Sequence, residues 1–196
     1  MSPSVRLTGL SFTAAFAAVG LLSAPAHAQE LAERSGARVG LSLFVGAAGL
    51  TNTGEKGVST TAPMVGASFR FGGAFTDRVH LYGEFMLAGL PGASFDGTSV
   101  TGFLGALDVG VQVYVLRRLY ARGGFGVVEH ATLGGGQDYW AYPGPHITGS
   151  VGYDLHRSGE RAFALEVTVA DEFFEGGGTP YNGGYTVAFG ASFDWY

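Results

Sequence analysis

The sequence predicts an all-β chain closed into an eight-stranded antiparallel up-and-down transmembrane β-barrel. Three observations lead there. Apolar residues recur at every second position in eight separate runs. The connections between these runs alternate between long and short. Only 14% of the 196 residues are charged, where a soluble domain carries about 25%, so much of the surface is expected to avoid water.

The first element is an address rather than a strand. Residues 1–28 combine a basic start at Arg6, an apolar stretch from Leu7 to Leu22 and the small-residue ending Ala26-His27-Ala28. That is the pattern of a secretory signal peptide with its cleavage site. The apolar stretch is short for an uncleaved membrane helix, and Pro25 precedes the cleavage pattern. Residues 29–37 are expected to form a short periplasmic segment, and residues 38–196 the barrel.

The runs follow in order. In residues 39–47 the odd positions Val39, Leu41, Leu43 and Val45 are apolar. Residues 65–71 set Gly66, Ser68 and Arg70 opposite Val65, Phe69 and Phe71. Residues 79–87 set His80, Tyr82, Glu84 and Met86 opposite Val79, Leu81, Phe85 and Leu87. Residues 103–115 set Asp108 and Gln112 opposite Leu107, Val109, Val111 and Val113. Residues 119–127 set Tyr120 and Arg122 opposite Ala121 and Phe125. Residues 147–155 set Ser150 and Asp154 opposite Val151 and Tyr153. Residues 163–169 set Glu166 and Thr168 opposite Leu165 and Val167, and residues 185–195 close the series. The long connections span about 50–63, 89–100, 129–144 and 171–183, and the short ones about 72–77, 116–118 and 156–161. An even strand count puts both termini at the tight-turn end, which faces the periplasm in outer-membrane barrels.

The polar face is built mostly of Gly, Ala and Ser with an occasional charge. That is too sparse for the solvated exterior of a soluble barrel, which would be apolar inside. It suits the inside of a narrow barrel whose Val, Leu and Phe face meets lipid. Closure is then obligatory, because an open sheet edge in lipid leaves backbone groups unpaired.

The signal peptide, the eight runs, the long and short connections and the aromatic ending Phe193, Trp195 and Tyr196 together resemble the small OmpA/OmpX-type outer-membrane β-barrels, over residues 38–196. The resemblance implies a place in the outer membrane of a Gram-negative-type cell, with outer-membrane lipids as neighbours. It also implies recognition by the outer-membrane barrel assembly machinery through the aromatic end. Trp195, in phase with the lipid face, is expected as the anchor of that assembly signal and Tyr196 as an interfacial addition. No peptidoglycan-binding domain is expected after the barrel.

The inward phase collects Arg70, Tyr82, Glu84, Asp108, Gln112, Arg122, Asp154 and Glu166. Such a set reads either as an ion path or as a structural network. Eight strands leave an interior just wide enough to be filled by side chains, and buried charges must be paired, so the structural reading is preferred. Arg70 and Arg122 are expected to pair with carboxylates on neighbouring strands, Glu84 and Asp108 first.

The two ends differ in charge. Arg34, Arg38, Arg78, Arg117, Arg118, Arg157 and Arg161 mark the tight-turn side, whereas the long connections carry Glu55, Asp96, Glu129, Asp138, Asp171, Glu172 and Glu175 against the lone Lys56. Acidic loops speak against direct recognition of anionic lipopolysaccharide. Loop aromatics are read as an interfacial girdle or as a contact surface, with Tyr139, Trp140, Tyr142, Phe173 and Phe174 as contact candidates for an external ligand whose identity the sequence leaves open.

Other chemistries find little support. There is no cysteine, and a net charge of −5 without a basic stripe argues against nucleic acid. Asp171 to Glu175 lacks a calcium-loop pattern, and the glycines 134–136 are followed by no Gly-Lys-Ser/Thr, so no metal or cofactor is expected. Some small outer-membrane barrels modify lipid A. The nearest match to the His and Ser of one deacylase type is His146-Ile-Thr148, with Ser150 beyond and Glu129 or His130 as possible partners, but Thr stands in place of Ser. The expected function is a structural or surface-interaction role through four long external loops. The alternatives are a narrow pore for small solutes and a lipid A-modifying enzyme.

Overall fold

The computed structural model describes residues 36–51, 59–95, 98–133, 143–158, 160–174 and 183–196. The signal segment 1–28 and the aromatics Tyr139, Trp140 and Tyr142 lie outside them. Eight strands run in chain order: β1 (Ala37–Thr51), β2 (Ser59–Ala74), β3 (Val79–Phe95), β4 (Thr98–Tyr114), β5 (Leu119–Leu133), β6 (Gly144–Ser158), β7 (Arg161–Phe173) and β8 (Gly183–Trp195). Each pairs antiparallel with its sequence neighbours, and β1 closes on β8 from Val39↔Trp195 to Thr51↔Gly183. Closure leaves no strand edge to be satisfied by lipid. Among the described residues no helix is long and apolar enough to cross a membrane.

The alternation of the sequence becomes an inside-out polarity. Leu43 is 64% exposed and Phe125 66%, whereas Arg70 is 1% exposed and Gln112 fully buried. Apolar side chains form continuous outward rows, such as Leu41, Phe69, Phe85, Leu107 and Val127 across β1 to β5. Aromatic rings on this face lie over glycines: a Cβ on Gly83 would come within 2.6 Å of the Phe71 ring, the arrangement by which an aromatic neighbour shields a strand glycine.

The tight turns are held locally. The amides of Phe75 and Thr76 donate to the Val79 carbonyl at 2.8 and 3.0 Å, and the Thr76 hydroxyl accepts from the amides of Arg78 and Val79. Val115 and Leu116 donate to the Leu119 carbonyl at the next turn. The third is tied to the chain end, where the Tyr196 amide donates to the Glu160 carbonyl at 2.8 Å.

At the opposite end the strands run further than the apolar pattern suggests. Residues 89–95 and 98–100, expected in a long connection, belong to β3 and β4. The pairing register there shifts between Leu90 and Ala93, and Gly92 takes a φ of +69° within the irregularity. Glu129 lies within β5, and Asp171 and Glu172 lie within β7. A strand of 17 residues such as β3, rising ~3.3 Å per residue at a tilt of ~45°, stands ~40 Å tall, against an apolar band of ~25 Å. The barrel wall therefore continues beyond the apolar band. Backbone pairing does not need apolar side chains, which is why the pattern ended before the strands did.

Candidate functional site

The lumen is the chemically richest part of the chain, and its centre is a knot of four charges. Register places Arg70 on β2 directly opposite Glu84 on β3, with Nη2 to Oε1 at 3.2 Å. Arg70 also reaches Glu166 on β7 at 3.4 Å. Arg122 on β5 bridges the same two carboxylates, at 3.3 Å to Glu84 and through a tight contact to Glu166. Two guanidiniums thus face two carboxylates in a space where an unpaired charge would cost several kcal/mol. Remaining lone pairs are used as well. Ser68 donates to Glu84 at 2.5 Å, while Ser192 (3.0 Å) and the Tyr120 hydroxyl donate to Glu166. The Tyr82 ring lies beside both arginines, 6.0 Å from the Arg70 guanidinium carbon and 5.5 Å from that of Arg122, within range of cation–π attraction.

Tyr120 reaches Glu166 across β6 because the residue between them is a glycine. Tyr120, Gly152 and Glu166 form one row, and a Cβ on Gly152 would lie 2.2 Å from the Tyr120 ring. The lumen network is written into the sequence partly as missing side chains.

Toward the tight-turn end a second layer closes the barrel. Arg38 pairs with Asp194 at 2.5 Å and donates to the Gln112 side-chain oxygen at 2.7 Å. Tyr196 turns inward over this layer. Its ring lies between Arg38 and Arg157, with guanidinium carbons 5.1 and 4.8 Å from the centroid, and its hydroxyl is 2.8 Å from that of Tyr114. His80 packs edge-on against both Tyr114 and Tyr196. Burial pushes the Tyr196 hydroxyl pKa up from its ordinary value, with Arg38 opposing. The expected interfacial role of Tyr196 is thus corrected: it shares the parity of Ser192 and Asp194 and forms a floor under the lumen, whereas Trp195 is 41% exposed on the outer face and packs against Phe193.

Toward the other end the lumen turns apolar. Leu50, Met64, Leu90, Leu104, Val128 and Phe174 pack into one buried cluster. Beside it His130 and Glu172 approach at 2.7 Å, and Thr186 donates to Glu172 at 2.9 Å. Phe174, a contact candidate from sequence, is buried against His130 instead of facing outward; Phe173 ends β7 on the outer face, 43% exposed. Between knot and cluster lies a cavity of about 40 Å³, bordered by Phe44, Met86, Thr148, Ser150 and Thr168. It has room for a few waters.

All eight sequence-predicted lumen residues lie on the inner side of the wall. Arg70, Tyr82, Glu84, Arg122 and Glu166 meet in the knot; Gln112 joins the floor, where Asp154 approaches Arg157 at 4.0 Å. Asp108 does not join the knot. It faces Glu84 in register, and two carboxylates repel, so Asp108 bonds instead to His146 Nε2 at 2.5 Å. His146 and Thr148 both have the inward parity of β6, and Ser150 bonds Thr168 at 2.8 Å. Glu129 and His130, the suggested acid/base partners, point to opposite faces of β5. Asp194 was not singled out from sequence, and Arg38, His130 and Glu172 were read in other roles, although each of the four has the inward parity of its strand. Among the described residues no group of three or more His, Asp or Glu could hold a metal ion.

Comparison of the fold with solved structures finds barrels of the same kind. Neisserial surface protein A matches with a TM-score of 0.56 at 11% identity, covering 82% of this chain and 98% of that one. The N-terminal β-barrel domain of Pseudomonas aeruginosa OprF matches at 0.52 and 15% identity, covering 81% and 97%. Ail, the attachment invasion locus protein of Yersinia pestis, matches at 0.54 and 11% identity, covering 82% and 99%. No family model and no curated protein sequence matches the chain. The chain has the eight-stranded fold of these outer-membrane barrels.

Proposed function

We propose that this protein is an integral outer-membrane barrel with a sealed lumen, acting as a structural element and as a contact surface at its external end. The observation that carries this reading is the inside-out polarity: charged residues buried within, Val, Leu and Phe exposed without. Such a wall is stable only where its outer surface meets hydrocarbon. The tight turns and the Tyr196 floor are then periplasmic, and the opposite end faces outward. Outer-membrane lipids and the barrel assembly machinery are its expected partners.

Three layers fill the interior: the Tyr196 floor, the charge knot and the apolar cluster. That favours a structural interior over a pore for small solutes. Planar-bilayer recording of the refolded protein tests the reading. A quiet membrane is expected; sustained, stable conductance steps would overturn the sealed lumen. Surface exposure is tested on whole cells, where added protease should cut only at the external connections. Enzymatic action on lipid A is not part of this proposal, and unchanged lipid A acylation on expression is the expected outcome.

A further inference from the structure

The outer wall carries a groove. It lies on β3 to β5, with a volume of about 440 Å³, walls of Leu87 and Phe103, and a floor where Gly89, Gly105 and Ala131 leave the surface low. Glu129 stands at its edge, exposed and in one row with Leu87 and Gly105. The volume falls within the range of small-ligand sites, ~300–1,000 Å³.

These glycines differ from those under the lumen network. On Gly152 a Cβ would collide with Tyr120, at 2.2 Å. On Gly105 it would meet the Leu87 Cδ2 at an ordinary 3.7 Å, and on Gly89 nothing lies nearer than the Val65 carbonyl oxygen at 4.0 Å. Neighbouring side chains therefore do not require glycine at either position. What the two glycines do is keep the groove open.

The position selects the occupant. Glu129 is the eleventh residue of β5, counted from Leu119 at the periplasmic turn. Ten steps of ~3.3 Å at a tilt of ~45° place it ~23 Å above that turn, near the upper limit of an apolar band of ~25 Å. The groove thus opens in the outer leaflet, with its carboxylate at the depth where acyl chains join their headgroup. A carboxylate there needs a donor. The ester-linked chains of a glycerophospholipid offer none, and the ammonium of an ethanolamine headgroup lies above that depth, whereas a saccharolipid with amide-linked or hydroxylated acyl chains offers N–H and O–H groups at it.

We propose that this groove holds one acyl chain of an outer-leaflet saccharolipid, whose hydroxyl or amide donates a hydrogen bond to Glu129. The proposal rests on the outer-membrane reading above. It is tested on the full barrel reconstituted in nanodiscs containing lipid A and phosphatidylethanolamine, then examined by native mass spectrometry. Wild type should retain one lipid A through mild activation. Gly105→Leu, which fills the groove from the outside, should lower retention about tenfold or more, from the loss of two or more buried methylenes. Glu129→Gln, which keeps the shape, should lower it less. Equal retention by wild type and Gly105→Leu would overturn the proposal, as would bound phosphatidylethanolamine in place of lipid A, or a dimer in place of a lipid adduct. Heat-shifted gel migration checks that each variant is folded. Failure of wild type to insert into the bilayer would sink the membrane reading itself, and the groove with it.

Discussion

Tyr120 on β5 bonds Glu166 on β7 over the top of Gly152 on β6, so three adjacent strands are joined by one hydroxyl and one absent side chain. Gly152→Val should separate the pair and strip Glu166 of a donor. The expected loss is ~2–4 kcal/mol of stability. Denaturant unfolding in lipid vesicles, followed by tryptophan fluorescence, measures it. Gly105→Ala, on the lipid face with free space for its methyl, serves as the control and should shift the midpoint little.

The charge knot predicts strong coupling. Arg122→Ala leaves Glu84 and Glu166 sharing Arg70 alone, at an expected cost of ~3–5 kcal/mol. Arg122→Met combined with Glu166→Gln should cost less than the sum of the two single changes, by ~1–3 kcal/mol. Strict additivity in a double-mutant cycle would show that the two residues do not act as a pair.

If the lumen is sealed in layers as proposed, removing one layer should not open the barrel. Leu104→Ala with Phe174→Ala thins the apolar cluster, but the knot and the floor stay in place. Bilayer recordings of this variant should remain as quiet as wild type. Conductance appearing on that change alone would identify the apolar cluster as the only gate.

Tyr196 should make the floor sensitive to alkali. Its pKa is raised by burial in the folded state from an ordinary value near 10. The folded state therefore holds this proton more tightly than the unfolded one. The associated stability is fully present below about pH 10 and is lost as the pH climbs beyond it. Tyr196→Phe removes the titrating group. The difference in stability between wild type and this variant should fall above pH 10, and unfolding midpoints measured from pH 8 upward would reveal a flat difference if the idea is wrong.

The face of each residue was legible in the sequence, because parity alone decides it in a strand. Height and bearing around the barrel were not. Asp108 has the right parity for the knot, yet the register sets it beside Glu84 and gives it to His146. Arg122 finds Glu166 two strands away, a relation that no neighbour-strand rule supplies. For Tyr196 the parity was present and pointed inward; the resemblance of the aromatic end to an assembly signal outweighed it. The strand ends beyond the apolar band were hidden because backbone pairing resumes there without a hydrophobic pattern, past the irregularity at Pro91 and Gly92 in β3.

The position of Glu166 has a consequence for how the chain can be put together. Arg70 and Arg122 come from the second and fifth strands, and of their two central counter-charges one comes from the third strand and the other from the seventh. A chain halted before its last hairpin would hold two guanidiniums against one central carboxylate. The counter-charges are complete only with the last two strands, Glu166 on the seventh and Asp194, 3.6 Å from Arg70, on the eighth, so the ion cluster rewards a finished cylinder and penalises an unfinished one.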